Sequence, residues 1–221
     1  MKQTGTWIVS GIFVVAMLGI AVWIYPHLPA QTATHWDANG NVNGWMPRFW
    51  AAAIWPLLMA GLAVMYALLP VISPRRFEIK PFARTYGIIV LATLAFLLVV
   101  GTIALLAGAG YHVSMGLVAP IAVGALLMVI GNFMGKFRKN FFVGIRTPWT
   151  LTSDVVWERT HRLAGWLFVL AGLVWIVGGL VHASPVVLVV AALAAGFVPA
   201  IYSYFLYRRV EGHPRTHGNL Q

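Results

Sequence analysis

The sequence predicts an all-α, polytopic membrane protein with six transmembrane helices. Of its 221 residues, 60% are apolar and only 9% are charged, and its mean hydropathy is +0.83. Soluble domains carry about 25% charged residues, so this chain has too little polar surface to cover a globule in water. Its apolar runs also reach the roughly 20 residues that a helix needs to cross a bilayer.

The six predicted spans contain no Lys, Arg, Asp or Glu in their central parts. They cover residues 7–25, 49–72, 86–109, 113–134, 163–181 and 186–207. The first run does not resemble a cleaved signal peptide, because it is long and Tyr25-Pro26-His27 offers no small-residue cleavage site. Proline inside a span favours a kink, which we expect at Pro56, Pro120 and Pro199.

Small residues recur within the spans, where they permit close packing of helices in lipid. The glycines expected at such contacts are Gly11, Gly19, Gly101, Gly116, Gly124, Gly131, Gly172, Gly178 and Gly179. Because the spans lack the charged residues that accompany ion and proton pathways, we favour packing over transport as the role of these breaks and small residues.

Basic residues accumulate in alternate connections, which predicts the orientation of the chain. They are Lys2; Arg75, Arg76, Lys80 and Arg84; Lys136, Arg138, Lys139, Arg146, Arg159 and Arg162; and Arg208, Arg209 and Arg215. The other three connections contain only Arg48. Because cytoplasmic loops are enriched in Lys and Arg, we predict that both termini and the loop 135–162 are cytoplasmic. This topology accounts for the net charge of +10, so we expect no nucleic-acid partner.

The predicted extracytoplasmic loop, residues 26–48, contains two turn-forming pairs. Asn39-Gly40 and Asn43-Gly44 both tolerate positive φ, so we expect a short extended piece with tight turns. Trp36 and Trp45 are expected to hold this piece on the membrane surface. The candidate residues of this loop are His35, Trp36, Asp37, Asn39 and Gly40.

Metal binding by the outer loop is not expected. Asp37, Asn39 and Asn41 imitate the first three EF-hand ligands, but Val42 replaces the glycine and Arg48 the bidentate glutamate. Imidazole and carboxylate groups that fall on the outer side belong to His27, His35, Asp37, His112 and His182. No His-x-x-x-His pair places two of these imidazoles on one helix face. The chain also lacks cysteine, so disulfides and cysteine-ligated metals are excluded, and we expect no cofactor.

Residues 132–162 form a polar and aromatic island between the fourth and fifth spans. Its basic cluster, Lys136, Arg138 and Lys139, is explained by attraction to anionic lipid headgroups. The run 131–136 departs from a phosphate-binding loop, because its glycines are one residue too close and Phe137 replaces the hydroxyl residue. Without an activated nucleophile or a metal triad in the island, we expect no enzyme.

A helix is predicted to begin within the island and to continue into the fifth span. Thr152 or Ser153 can cap this helix, with Asp154 in its first turn. At helical spacing one stripe contains Asp154, Glu158, His161 and Arg162, with Glu158 in reach of His161 and Arg162.

Two interpretations of this stripe remain open. It is either a salt-bridged interfacial helix face, since structural ion pairs are common, or a polar site for a ligand or partner. In the second case, Asn140 and Arg146 are expected to face it.

The runs 131–136, 138–151 and 156–165 resemble the signature of SdpI-type bacterial immunity proteins. The first half resembles the small uncharacterised membrane domain that often precedes this module, through Leu28-Pro29, His35-Trp36, Gly40 and Gly44. The resemblance divides the chain into two three-helix modules. Residues 1–110 are the N-terminal membrane module, and residues 111–221 are the SdpI-like module.

The resemblance implies a bacterial inner-membrane protein that gives resistance to a secreted, membrane-active toxin peptide by binding or sequestering it. Some such proteins also hold a transcriptional repressor at the membrane. The implied partners are therefore membrane lipids, a toxin peptide and a cytoplasmic repressor. An exporter of a peptide or lipid, and a membrane-embedded hydrolase, are the alternatives.

Ten residues of the signature are candidates for binding a ligand or partner. They are Asn132, Asn140, Arg146, Pro148, Trp149, Thr150, Trp157, Glu158, Thr160 and His161.

Overall fold

The computed structural model describes residues 3–37, 40–74 and 78–212. Its helices are α1 (Gln3–Ile24), α2 (Arg48–Ile72), α3 (Ala83–Gly108), α4 (Met115–Met134), α5 (Pro148–Thr152), α6 (Asp154–Leu180) and α7 (Pro185–Glu211). All of these except α5 are long and apolar enough to cross a membrane. The predicted six-helix membrane fold is thus confirmed. The candidate Asn39 and the basic residues Lys2, Arg75, Arg76 and Arg215 lie outside the described ranges.

The helix that enters the fifth span begins well before the apolar run, as predicted. Helix α6 starts at Asp154, which lies in its first turn, and Ser153 occupies the N-cap position. The hydroxyl of Ser153 makes no capping bond, however, because it donates to Glu211 Oε1 of α7 at 2.9 Å. The short helix α5 was not predicted. Pro56, Pro120 and Pro199 all lie inside helices, at the expected positions.

The outer loop forms an antiparallel β-hairpin of strands β1 (Gln31–Trp36) and β2 (Val42–Pro47). Gly40 has a φ of +84°, so the predicted turn at this glycine is confirmed. The predicted turn at Asn43-Gly44 is wrong, because both residues belong to β2. Gly44 lies opposite His35, where a methyl group would come within 2.8 Å of His35 Cβ. Asn43 Oδ1 forms a hydrogen bond with the His35 imidazole across the hairpin, which further stabilises Asn43 within β2.

The hairpin is docked on the end of α3. A side chain at Gly108 would come within 2.7 Å of Thr32 Cγ2 and 2.9 Å of the Ala33 carbonyl oxygen. Thr32 itself is buried, and its hydroxyl donates to the Pro29 carbonyl at 2.8 Å. The absence of a side chain at Gly108 therefore lets β1 lie directly against the helix end. Below it, the core of this half packs around Met17, Met59 and Leu94.

Helices α4 and α6 are joined by two pairs of facing glycines. A methyl group on Gly124 would lie 2.5 Å from the Gly172 carbonyl oxygen, and one on Gly131 would lie 2.7 Å from that of Gly165. In each pair, the reciprocal substitution meets the partner's carbonyl oxygen just as closely. Gly179 continues this packing against Pro120. Backbones at this separation exclude even a methyl group, so the expected role of these glycines is confirmed.

The same expectation is wrong for Gly11, Gly19 and Gly116. A methyl group on any of them would meet no atom of the described residues within 4 Å; Gly116 instead borders the space enclosed by α4, α6 and α7. Composition alone does not distinguish a glycine at a helix contact from one beside lipid.

Candidate functional site

Asn140 organises the first part of the island and is completely buried. Its Nδ2 group donates to the carbonyls of Arg138 at 2.9 Å and Val143 at 3.0 Å. Its Oδ1 atom accepts the backbone N–H groups of Phe142 at 2.8 Å and Val143 at 2.7 Å. All four hydrogen-bonding positions of the amide are thus used to fold the loop that follows α4. This side chain stabilises the island and is not presented to an outside partner.

His161 joins that loop to α6. Its Nε2 atom accepts the backbone N–H of Ile145 at 3.0 Å, and its Nδ1 atom lies 2.8 Å from the Trp157 carbonyl oxygen. The ring also stacks on Trp157 with centroids 4.0 Å apart. The Trp157 indole N–H donates to the Phe137 carbonyl at 2.8 Å. We call Phe137, Asn140, Ile145, Trp157 and His161 the island clasp, because together they hold the loop on α6.

The middle of the island is fixed by a capping box and by contacts with α7. The Thr147 hydroxyl accepts the Thr150 N–H, and the Thr150 hydroxyl accepts the Thr147 N–H, at the start of α5. Thr147 Oγ1 also lies 2.9 Å from Ser203 Oγ. The rings of Trp149 and Tyr204 pack edge to face with centroids 5.0 Å apart. The island therefore connects the ends of α4, α6 and α7.

The predicted stripe of four polar residues is wrong as a single face. The four residues do not share one environment on α6, since His161 is buried in the clasp while Glu158 is exposed. Glu158 pairs with Arg138 at 3.5 Å, in place of the expected Arg162, and Asp154 pairs with Lys139 at 2.6 Å. These ion pairs connect α6 to the basic loop, which only the folded island brings alongside the helix.

The other candidate residues of the island differ in their exposure. Asn132, Arg146 and Pro148 are exposed, and Arg146 Nη1 donates to the Phe141 carbonyl at 2.8 Å. Among the described residues, Arg146 forms no ion pair with Asp154 or Glu158, so the expected approach of Arg146 to this side of α6 is not seen. Thr160 is fully buried, and its hydroxyl has no hydrogen-bond partner among the described residues. The exposed candidates remain available to a partner, whereas the buried ones act through the fold.

A second candidate site is a cavity of about 360 Å³ beneath the outer hairpin. His35, Trp36 and Asp37 border it on the hairpin side, together with Thr34. Its walls are mostly apolar and come from five helices, through Trp55, Ala104, Pro120, Trp175 and Leu188. The Trp175 Nε1–H is buried and has no partner among the described residues. We call this space the outer cavity.

Three outer-loop candidates thus lie at the outer cavity, but its helical walls were not predicted. Trp175 lies inside the predicted fifth span, away from the interfacial positions that tryptophan favours. The position of Trp175 within a span was the signal that could have identified it, because an indole N–H buried in a span needs a hydrogen-bond partner. Among the described residues, no three His, Asp or Glu side chains are grouped as a metal site.

Two family models match separate parts of the chain. Residues 136–203 match the SdpI/YfhL protein family, and residues 12–60 match a domain of unknown function, DUF1648. The second half of the chain is thus similar to the SdpI/YfhL family. The chain is also 26% identical over 207 residues to immunity protein SdpI of Bacillus subtilis strain 168, covering 93% of this chain and 97% of that protein. The predicted resemblance to the SdpI family is confirmed. No solved structure matches the chain.

These matches and the six helices make the chain a multi-pass protein of the bacterial inner membrane related to an immunity protein. The segment that matches the SdpI/YfhL family contains the whole island clasp and the α7 contact at Ser203. The outer cavity combines the two matched segments, since Trp36 and Trp55 belong to the segment that matches DUF1648 and Trp175 and Leu188 to the segment that matches SdpI/YfhL.

Proposed function

We propose that this protein is a non-enzymatic immunity protein that binds a secreted, membrane-active toxin peptide in the outer cavity. The observation that carries the proposal is the mostly apolar outer cavity, whose lining residue Trp175 has a buried indole N–H without a partner among the described residues. A buried donor left without a partner costs about 1–3 kcal/mol. A peptide segment would supply a carbonyl acceptor together with apolar side chains, and so would satisfy both features of the cavity.

The size and position of the outer cavity suit this ligand. A volume of about 360 Å³ accepts a few side chains, and falls within the range of small binding sites. The hairpin residues His35 and Asp37 supply polar groups at its border. If the basic loops are cytoplasmic, as predicted, the cavity is on the side from which a secreted peptide arrives. Sequestration there would keep the peptide from acting on the bilayer.

The island is our proposed site for a second, cytoplasmic partner such as a repressor. The same helix, α6, carries Trp175 at the outer cavity and the clasp residue His161 near its other end. An open cleft of about 870 Å³ lies beside the clasp and is bordered by Leu151, Asp154 and Glu158. A ligand that changes the position of α6 would change this cleft. The exposed candidates Asn132, Arg146 and Glu158 are the residues that such a partner would contact first.

A survival experiment tests the toxin-binding proposal. A sensitive bacterium expressing the chain is challenged with an SDP-like peptide and with a panel of other membrane-active peptides. Trp175→Phe keeps an aromatic ring but removes the unpaired N–H, and we expect it to lose selective protection while still inserting. Trp166→Phe is the matched control, because that side chain lies on the same helix and is 69% exposed.

The outcome also separates the alternative functions. Binding predicts that intact peptide is recovered with the membrane fraction and that protection persists without an energy source. Recovery of cleaved peptide would indicate a hydrolase, and energy-dependent loss of peptide from cells would indicate an exporter. Full protection by Trp175→Phe at normal expression would reject the outer cavity as the binding site.

A further inference from the structure

A second polar cleft, of about 650 Å³, lies where the two halves of the chain meet at their basic ends. One wall is the 3₁₀ turn Lys80–Phe82 and the start of α3, and the other is the segment 135–138 just after α4, with Glu158 and Arg162 of α6. Phe82 and Phe137 are both buried and pack with ring centroids 6.1 Å apart, so the base of the cleft is apolar. We call this space the basic cleft.

The charge of the basic cleft is strongly one-sided. Among the described residues, five cationic side chains line it and a single carboxylate, Glu158, accompanies them. The cations are Lys80, Arg84, Lys136, Arg138 and Arg162. Of these, Arg138 is the partner of Glu158 at 3.5 Å, and Lys136 lies over the Phe133 ring. Within the described residues, Lys80, Arg84, Lys136 and Arg162 have no carboxylate at ion-pair distance.

Such a cleft has the chemistry to bind phosphate. Arg and Lys on several walls can approach a phosphate from different directions, and charge-assisted hydrogen bonds to phosphate are stronger than neutral ones. Arg84 lies in the first turn of α3, where the helix dipole adds to the attraction for an anion. Unpaired cations held close together repel one another, so an anion would also relieve this repulsion.

An apolar groove lies along the same pair of helices, closer to the membrane centre. It has a volume of about 350 Å³ and is lined by Ala92, Phe96 and Val99 of α3 and by Ala122, Ala125 and Val129 of α4. The rise of 1.5 Å per residue places Ala92 about 10 Å from Thr85, which borders the basic cleft. A cationic cleft at the helix ends is thus followed, two turns deeper, by a groove between the same helices.

From this succession we infer that the seam between α3 and α4 binds one anionic phospholipid. Its phosphate would occupy the basic cleft, and an acyl chain would lie in the groove beside Ala122 and Ala125. A soluble phosphate compound has no group to fill the apolar groove, which is why the structure favours a lipid. This lipid site lies at the opposite end of the bundle from the outer cavity, and its existence does not depend on toxin binding.

Native mass spectrometry of the full chain in detergent tests this inference. The probes are phosphatidylglycerol, phosphatidylethanolamine with the same acyl chains, and glycerol phosphate. We expect one phosphatidylglycerol to be retained in preference to phosphatidylethanolamine, with no comparable retention of glycerol phosphate. Both lipids carry a phosphate and differ in the net charge of the headgroup, so equal retention would overturn the inference that the site prefers an anionic lipid. Equal binding of glycerol phosphate would overturn the lipid assignment.

Variants locate the site. The double substitution Lys80→Gln with Arg84→Gln is expected to weaken phosphatidylglycerol retention roughly tenfold, because cations near anionic headgroups contribute substantially to binding. The control is Arg208→Gln with Arg209→Gln, which removes two charges from the last turn of α7. An equal loss in both double variants would overturn the site, since only total charge would then matter.

A second pair of variants tests the acyl-chain groove. Ala125→Phe would fill the groove and is expected to weaken lipid retention, whereas Ala194→Phe adds the same ring on the exposed side of α7. Unchanged retention by Ala125→Phe would overturn the acyl-chain part of the inference. All four substituted basic residues and both alanines are exposed, so the variants are expected to fold.

Discussion

The backbone N–H of Ile145 donates to Nε2 of His161 at 3.0 Å, across sixteen residues of chain. Because Nδ1 of the same ring lies 2.8 Å from the Trp157 carbonyl oxygen, the two bonds together require the tautomer protonated at Nδ1. His161 is thus a structural bridge between the loop and the helix. This role differs from the exposed, partner-facing position that its helical spacing from Glu158 predicts.

The first prediction concerns this bridge. We expect His161→Ala to lower the free energy of unfolding by about 3 kcal/mol or more, because it leaves the Ile145 N–H unpaired and opens a cavity beside Trp157. Thermal unfolding in detergent measures the change. His112→Ala, at an exposed histidine on the opposite side, is expected to have little effect. Wild-type stability of His161→Ala would contradict the structural role.

Gly144 provides the second prediction. Its φ is +111°, and a side chain there would overlap the imidazole of His161. Gly110 also has a positive φ, +90°, but a methyl group on it would meet no atom within 4 Å. Each alanine substitution therefore carries backbone strain of about 1–3 kcal/mol, and Gly144→Ala adds a steric clash. We expect Gly144→Ala to unfold at a lower temperature than Gly110→Ala, and equal losses would argue against the clash.

The third prediction uses the facing glycines. A methyl group on Gly172 would lie 2.5 Å from the Gly124 carbonyl oxygen and 2.6 Å from Met128 Cγ, so Gly172→Ala must push α4 and α6 apart. Overpacking of this kind costs about 1–3 kcal/mol. Gly19→Ala, which faces open space, is expected to be neutral or slightly stabilising, because alanine is the better helix former. Differential scanning fluorimetry measures the unfolding temperature of both variants, and equal temperatures would contradict the close contact at Gly172.

The fourth prediction compares two asparagines of the signature. Asn140→Asp replaces two donors with a carboxylate oxygen that would face the Arg138 and Val143 carbonyls, so we expect loss of the folded island. Asn132 is exposed, and Asn132→Asp is expected to leave stability unchanged within about 0.5 kcal/mol. Protease sensitivity of the loop reports on folding in both variants. A stable Asn132→Asp protein that no longer protects cells would identify Asn132 as a partner contact.

The sequence was sufficient to predict the membrane fold, because span length and the scarcity of charge leave few alternatives. The helix entering the fifth span was also predictable, since Ser153 and Asp154 mark its start locally. The partners of Glu158 and Asp154 were not. Helical spacing offers only residues on the same helix, whereas the actual partners, Arg138 and Lys139, arrive through a loop that Asn140 folds.

The candidate sites were predicted in part for a similar reason. The polar island was recognisable by its composition, but its division into a buried clasp and an exposed face depends on tertiary packing. The hairpin residues around His35 were predicted as an outer-loop group, whereas Trp175 meets them only through the packing of five helices. Residues far apart in sequence carry no local sign that they share a cavity.

The two glycine contacts between α4 and α6 lie seven residues apart on each helix, at Gly124 and Gly131 and at Gly165 and Gly172. Two such points, about 10 Å apart, prevent the helices from sliding or rolling against each other. We therefore expect α4 and α6 to move together as one rigid unit. A displacement of α6 near Trp175 is then expected to tilt α4 and α6 together, and to change the position of the His161 end.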